Sequence, residues 1–103
     1  MPNKINIPYE FKLNGKIVTV EFDDEYCQEE GLLGEADFTE KTITLTTKEE
    51  GKRLPKSEVD KTFYHELTHL ILDAANRHQL KWNEEFVDAI SLLFYEFERT
   101  KKF

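Results

Sequence analysis

The chain has one cysteine, Cys27, in 103 residues. An internal disulfide is therefore excluded, and the fold must hold without covalent staples, as proteins of reducing compartments do. Nowhere do about 18 uncharged apolar residues run together, which excludes a membrane-spanning helix. The first residues, Met1 to Asn6, lack the apolar block of a secretory signal. These absences point to a cytoplasmic protein with no membrane partner. Positive charge is also scarce: 14 Lys and Arg stand against 21 Asp and Glu, a formal charge of −7. Such a field repels phosphate backbones and anionic lipids, so no nucleic acid is expected as a partner. Internal repeats and low-complexity tracts are missing too. What is present is 39% hydrophobic residues, with eight Phe and four Tyr, and 34% charged residues. That balance suits one compact core under a well-solvated surface.

Ile5, Ile7, Tyr9, Phe11 and Leu13 alternate with polar residues, the period of a half-buried strand. Asn14-Gly15 then favours a two-residue type I′ turn. That turn would set Phe11 opposite Val18, Tyr9 opposite Val20 and Ile7 opposite Phe22, apolar against apolar throughout. Pro8 marks this first strand as an edge. The acid-rich stretch from Asp23 to Glu35 has no clear period and reads as a loop with a helical turn. Phe38, Ile43 and Leu45, with alternating threonines and a turn at Glu40-Lys41, predict a second, shorter hairpin.

Residues 48–56 read as a linker to a helical half. Ser57, with Asp60 three residues on, is a capping-box variant that predicts a helix start. Val59, Phe63, Leu67, Leu70, Ile71 and Ala74 form its apolar stripe, ending near Asn76. Asn83 caps a second helix, with Trp82 placed to staple onto Val87. Phe86, Ile90, Leu93, Phe94 and Phe97 are its expected buried stripe, as far as Thr100. The expected fold is α+β: a small antiparallel sheet of three or four strands on two long helices. It forms one domain over 1–103, β-rich over 1–47 and helical over 57–101.

Inside the first long helix stands His65-Glu66-Leu67-Thr68-His69, an HExxH pattern. Helical geometry puts the two imidazoles on one face, about 6 Å apart along the axis, where they can share one metal ion. Glu66 lies beside them, able to deprotonate water without being a ligand. By average composition the pattern arises by chance roughly once in several hundred chains of this length. A catalytic zinc needs a third protein ligand. Asp73 lies about 12 Å further along the helix, too far to share the ion with His65. The step of six residues that brings a third His in metzincins lands on Ala75. Glu84 and Glu85, which open the second helix, are the remaining donors.

HELTH on one helix, followed by Glu84-Glu85-Phe86-Val87-Asp88 on the next, resembles the HExxH…ExxxD arrangement of gluzincins. The nearest likeness is to minimal phage-borne members related to the ImmA/IrrE-type metallopeptidases. The resemblance implies a minimal zincin-like fold, Zn2+ held by His65, His69 and Glu84, Glu66 as general base, and Asp88 accepting from the ring N–H of His65. It further implies a zinc-dependent peptidase acting on a peptide or protein substrate, such as a regulator protein, in a host-cell cytoplasm. The competing expectation is a zinc-binding protein-interaction module of phage origin without proteolytic activity; a purely structural metal is the third.

Tyr64, Tyr95 and His78 are candidates to stabilise an oxyanion by residue type alone. The strand over Thr42–Thr47 is the expected edge for main-chain pairing with a substrate. Cys27 is given no role.

Overall fold

In a computed structural model describing residues 2–103, the chain is α+β, with a four-stranded sheet on two long helices. The first hairpin joins β1 (Glu10–Leu13) to β2 (Lys16–Phe22) through Asn14 and Gly15, both at positive φ as a type I′ turn requires. Phe11 faces Val18, as expected from the turn. The ladder is shorter than the alternation predicts. Val20 still donates to the Tyr9 carbonyl at 2.9 Å, but the Tyr9 side chain is 81% exposed. Ile7 leaves the sheet and packs against the core from an irregular segment. Pro8 explains the truncation, since it has no N–H to offer a ladder.

Asp23 to Glu35 contains more order than its composition suggests. Asp23 caps α1 (Asp24–Glu30) by accepting from the Tyr26 N–H at 3.0 Å. Gly31, at φ 69°, ends it in the left-handed conformation common at helix C-termini. β3 (Gly34–Asp37) and β4 (Thr42–Leu45) then form the second hairpin.

The strand order is β1-β2-β4-β3, and β2 runs parallel to β4. The sheet is therefore mixed, where antiparallel pairing was expected throughout. Burial supplies the reason. Ile43 and Leu45 are wholly buried in β4, which takes an inner position, whereas the polar β3 sits at the edge. The connection through α1 delivers β3 antiparallel to β2, so β4, the other arm of that hairpin, runs with β2.

The span 48–56 is likewise more than a linker: β5 (Lys48–Glu49) and β6 (Lys52–Arg53) make a miniature hairpin over Glu50-Gly51.

Asp24 ties these parts together. Its carboxylate accepts from the Thr47 amide at 2.6 Å and from the hydroxyls of Thr47 and Thr46 at 2.7 and 3.0 Å. The hydrogen bond from the Thr47 backbone, then that from its side chain, hold the Asp24 carboxyl below its usual range. A carboxyl depressed by folding contributes stability that is complete above its unfolded value and is lost as pH falls through its folded one. Asp24→Asn is therefore expected to cost about 1–2 kcal/mol at neutral pH. The gap between variant and wild type should close on acidification toward pH 2, as read by urea denaturation. A gap that is constant across pH would assign the loss to packing.

The second helix, α2 (Lys56–Ala74), starts two residues earlier than a Ser57 cap predicts. Its cap is Pro55, and Asp60 bonds Lys56 Nζ at 2.7 Å in place of a backbone amide. The same ammonium donates to the Ile5 carbonyl, pinning the N-terminal segment. Val59, Phe63 and Leu70 are buried as expected, while Leu67, Ile71 and Ala74 are only half-buried. Tyr64, Glu66, Thr68 and His69 are buried in addition, because α2 is covered by the sheet on one side and by the third helix on the other.

A short 3-10 turn (Leu80–Trp82) leads to α3 (Glu84–Thr100), where Asn83 Oδ1 caps the Phe86 amide at 3.0 Å. Here the predicted face is overturned. Val87 and Ser91 are the buried residues of α3, while Leu93, Phe94 and Phe97 are 61%, 41% and 59% exposed. Glu84, Val87, Asp88, Ser91 and Tyr95 share one helical face, and turning the first and third of these toward α2 rotates the Phe-rich stripe outward. Trp82 does not staple onto Val87 either; it is exposed and meets Phe38 edge-on at 5.4 Å.

Candidate metal centre

The middle of α2, the turn before α3 and the first turn of α3 converge on one spot. His65 and His69 project from the same face of α2, their Nε2 atoms 3.2 Å apart. The Glu84 carboxylate reaches both: Oε2 is 3.0 Å from His65 Nε2, and Oε1 is 3.3 Å from His69 Nε2. Of the two acids opening α3, Glu84 is the one that meets the histidines; Glu85 is its exposed neighbour, turned about 100° round the helix.

The far side of each ring explains this convergence. His69 Nδ1 lies 2.6 Å from the Lys81 carbonyl, which can only accept, so the ring donates there and bares a lone pair at Nε2. His65 Nδ1 stands 2.8 Å from Asp88 Oδ1, with the same result. Three lone-pair donors, two imidazole nitrogens and a carboxylate, thus face one another. A proton on either ring would satisfy one of these contacts, whereas a cation satisfies all three. Donors about 2.0–2.1 Å from a common tetrahedral centre stand about 3.3–3.4 Å apart, close to the observed separations. The group His65, His69 and Glu84 can hold a metal ion.

Glu66 sits next to this group and apart from it. It is 8% exposed, and burial pushes its carboxyl up to about 7; the neighbouring His65 opposes the rise, and the Glu84 and Glu35 carboxylates reinforce it. A carboxyl with that value exchanges protons readily near neutrality. Its surroundings are a shallow groove lined by Gly34, Glu35, Ala36 and Phe38 on one side and by His65, His69, Trp82 and Glu84 on the other. Gly34 lets β3 approach so closely: a Cβ there would come within 2.6 Å of Thr62 Cγ2.

No protein-family model, curated protein or solved structure matches the chain.

Other candidate residues lie elsewhere. Tyr64 is buried between Phe63 and Tyr95, and burial pushes its phenol up to about 12. Tyr95 takes a hydrogen bond from Arg99, and His78 is exposed near Asp73. None of the three lines the groove at the histidines. The Thr42–Thr47 segment does not offer a pairing edge, because β4 is enclosed by β2 and β3; the free edge beside Glu66 belongs to β3. Cys27 is wholly buried, and burial raises its thiol, which suits an inert core residue.

The support behind His69 has no motif in the sequence. Lys81, 8% exposed, puts its ammonium 4.3 Å from the Phe38 ring centre and 2.6 Å from Asp73 Oδ1. Lys41 Nζ holds the other Asp73 oxygen at 3.3 Å. The Lys81 ammonium, with Lys41 behind it, keeps the Asp73 carboxyl below its usual range against partial burial. This polar knot fastens the turn whose carbonyl orients His69. Asp73→Asn is expected to weaken divalent-metal binding about 10-fold, the scale typical of partners behind a ligand. Competition against a chromophoric chelator reads it; unchanged affinity would leave the knot a purely structural feature.

Proposed function

We propose that the protein is a zinc-dependent peptidase of gluzincin type, with Zn2+ held by His65, His69 and Glu84. The observation that carries this reading is the pairing of a three-donor cluster, its tautomers set by Lys81 and Asp88, with a separate buried carboxyl, Glu66, in the same groove. Zinc bound there supplies Lewis acidity, which acidifies water and polarises a carbonyl.

The chain's own residues do the rest. Glu66 takes a proton at its carboxylate from the attacking water and returns it to the amine nitrogen of the departing half. Lys81 and Asp88 hold the two imidazoles so that Nε2, and not Nδ1, faces the site. The β3 edge, Gly34 to Asp37, runs beside Glu66 and offers backbone groups to an extended chain. That geometry selects unfolded or extended peptide segments over compact surfaces.

The decisive experiment is digestion of a mixture of unstructured peptides by the zinc-loaded protein, with and without a chelator, beside its Glu66→Gln variant. Cleavage that needs both zinc and Glu66 supports the reading. A folded, zinc-loaded protein that leaves every peptide intact overturns it in favour of a non-proteolytic zinc-bearing interaction module.

A further inference from the structure

The groove at the histidines does not end at Glu66. Gly34, His65 and Glu66 also line a second hollow of about 500 Å³, which runs from the donor cluster toward the middle of α3. Three segments wall it. α2 contributes Lys61 and Thr62, one turn before His65 and Glu66; α3 contributes Asp88, Ser91 and Leu92; the turn between α1 and β3 contributes Gly31 to Gly34. That turn is pinned, since the Leu32 amide donates to the Cys27 carbonyl at 2.8 Å and the Leu33 carbonyl accepts from the Thr46 amide at 3.3 Å. Its fixed course leaves Leu33 41% exposed, and on the α3 side of the hollow Leu92 is 50% exposed. Leu92 stands about 100° or more round α3 from the outward Phe-rich stripe, on the other flank of the face that packs on α2.

We infer that this hollow receives a large aliphatic or aromatic side chain of an extended peptide lying along β3, and that Leu33 and Leu92 select the peptides that carry one. The inference rests on the peptidase reading, which supplies the extended peptide. In such a chain successive side chains point to opposite sides. A peptide paired with the β3 edge beside Glu66 therefore turns every second side chain toward α2, where the hollow opens.

The lining decides the chemistry of the occupant. Its polar side chains already have partners within the fold: Thr62 Oγ1 donates to the Glu58 carbonyl at 2.9 Å, Ser91 Oγ donates to the Asp88 carbonyl at 3.1 Å, and Asp88 Oδ1 meets His65 Nδ1 at 2.8 Å. Lys61 pairs with Glu58 at 3.7 Å. What the lining leaves without a counterpart is apolar, the two leucines. Glu66 and Asp88 outnumber Lys61 there, which disfavours an acidic side chain. An apolar wall with few polar groups, at this volume, is the usual make-up of a pocket that orients a ligand.

One unstructured host peptide with a single guest residue, Leu, Phe, Ala, Asp or Lys, tests the inference on the zinc-loaded full chain. The wild type is expected to cleave the Leu and Phe peptides with kcat/KM at least about 10-fold above the other three, the scale of a methylene group in an apolar pocket. Fluorescence anisotropy with zinc-loaded Glu66→Gln should give the same order in binding, without turnover. Leu33→Ser and Leu92→Ser, both at partly exposed positions, should each reduce the preference at least about 3-fold in both assays, the second in the Glu66→Gln background. Their circular dichroism and metal content should match the wild type. Cleavage that ignores the guest, or that favours Asp or Lys, overturns the inference and leaves the peptidase reading standing. A preference that persists in both serine variants overturns it as well. Binding that prefers Leu and Phe and loses this in the serine variants, with no peptide cleaved, supports the hollow as a peptide site and removes the peptidase reading. No cleavage and no preference in binding overturn both.

Discussion

The Glu66→Gln protein is expected to bind one metal ion per chain, like the wild type, and to cleave peptides at least about 10³-fold more slowly. The two halves of this result rest on different features. Metal binding survives because Glu66 is outside the donor group of His65, His69 and Glu84. Glutamine also has the same size as glutamate, so a residue 8% exposed is replaced without a void. Cleavage fails because an amide cannot take a proton from water, whereas a carboxylate at the same place can. Metal content by mass spectrometry and cleavage of a quenched fluorescent peptide give the two readouts. Equal turnover by wild type and variant would dismiss Glu66 as the base, and with it the proposed mechanism.

Replacing His69 by alanine acts on the other half of the site. Stoichiometric metal is expected to be lost, with affinity falling more than about 100-fold, beyond the range seen for partners behind a ligand. His69 is the more buried of the two histidines, and its Nδ1 is locked by the Lys81 carbonyl at 2.6 Å. The substitution therefore removes one donor of three and strands a carbonyl, at a cost of about 1–3 kcal/mol to the fold. Urea denaturation in the absence of metal measures that second effect and separates it from the first. Paired variants at the start of α3 sharpen the contrast. Glu84→Gln should lose metal with His69→Ala, and Glu85→Gln should retain it, because of these two acids Glu84 is the one whose carboxylate meets the Nε2 atoms of both imidazoles. Retention of a full equivalent of metal by His69→Ala would remove the basis of every functional reading of the site.

Both variants act on residues readable from the sequence, because the HExxH spacing matches the helical period and needs nothing beyond one helix to bring two imidazoles together. The first hairpin is legible for a similar reason: Asn14-Gly15 dictates a local turn, and the turn sets Phe11 against Val18. Local chemistry likewise places the Asn83 cap and the start of α3. Where the sequence misleads, the competing force is long-range. Asp60 is read as a capping residue and instead meets Lys56, which is itself drawn toward the Ile5 carbonyl. The segment over Thr42–Thr47 is read as an exposed edge, and its strand β4 becomes an inner one, since apolar burial there outweighs the nearest-neighbour order of strands.

The α+β class, the two long helices and the pairing of His65 with His69 on one helical face, with Glu66 beside them, were determined by composition, periodicity and spacing alone. The choice of Glu84 over Glu85, the carbonyl behind His69, the mixed sheet that sets the β3 edge beside Glu66, and the outward turn of the Phe97 stripe were decided only in three dimensions. The division has one physical cause. Hydrogen bonds and side-chain neighbours within a few residues follow from covalent geometry and the helical or strand period. The rotation of one helix against another is settled by contacts between groups far apart in the chain, and here the pull of two carboxylates toward two imidazoles accompanies the burial of a modest Val87 and Ser91 face while a larger apolar one stays outside.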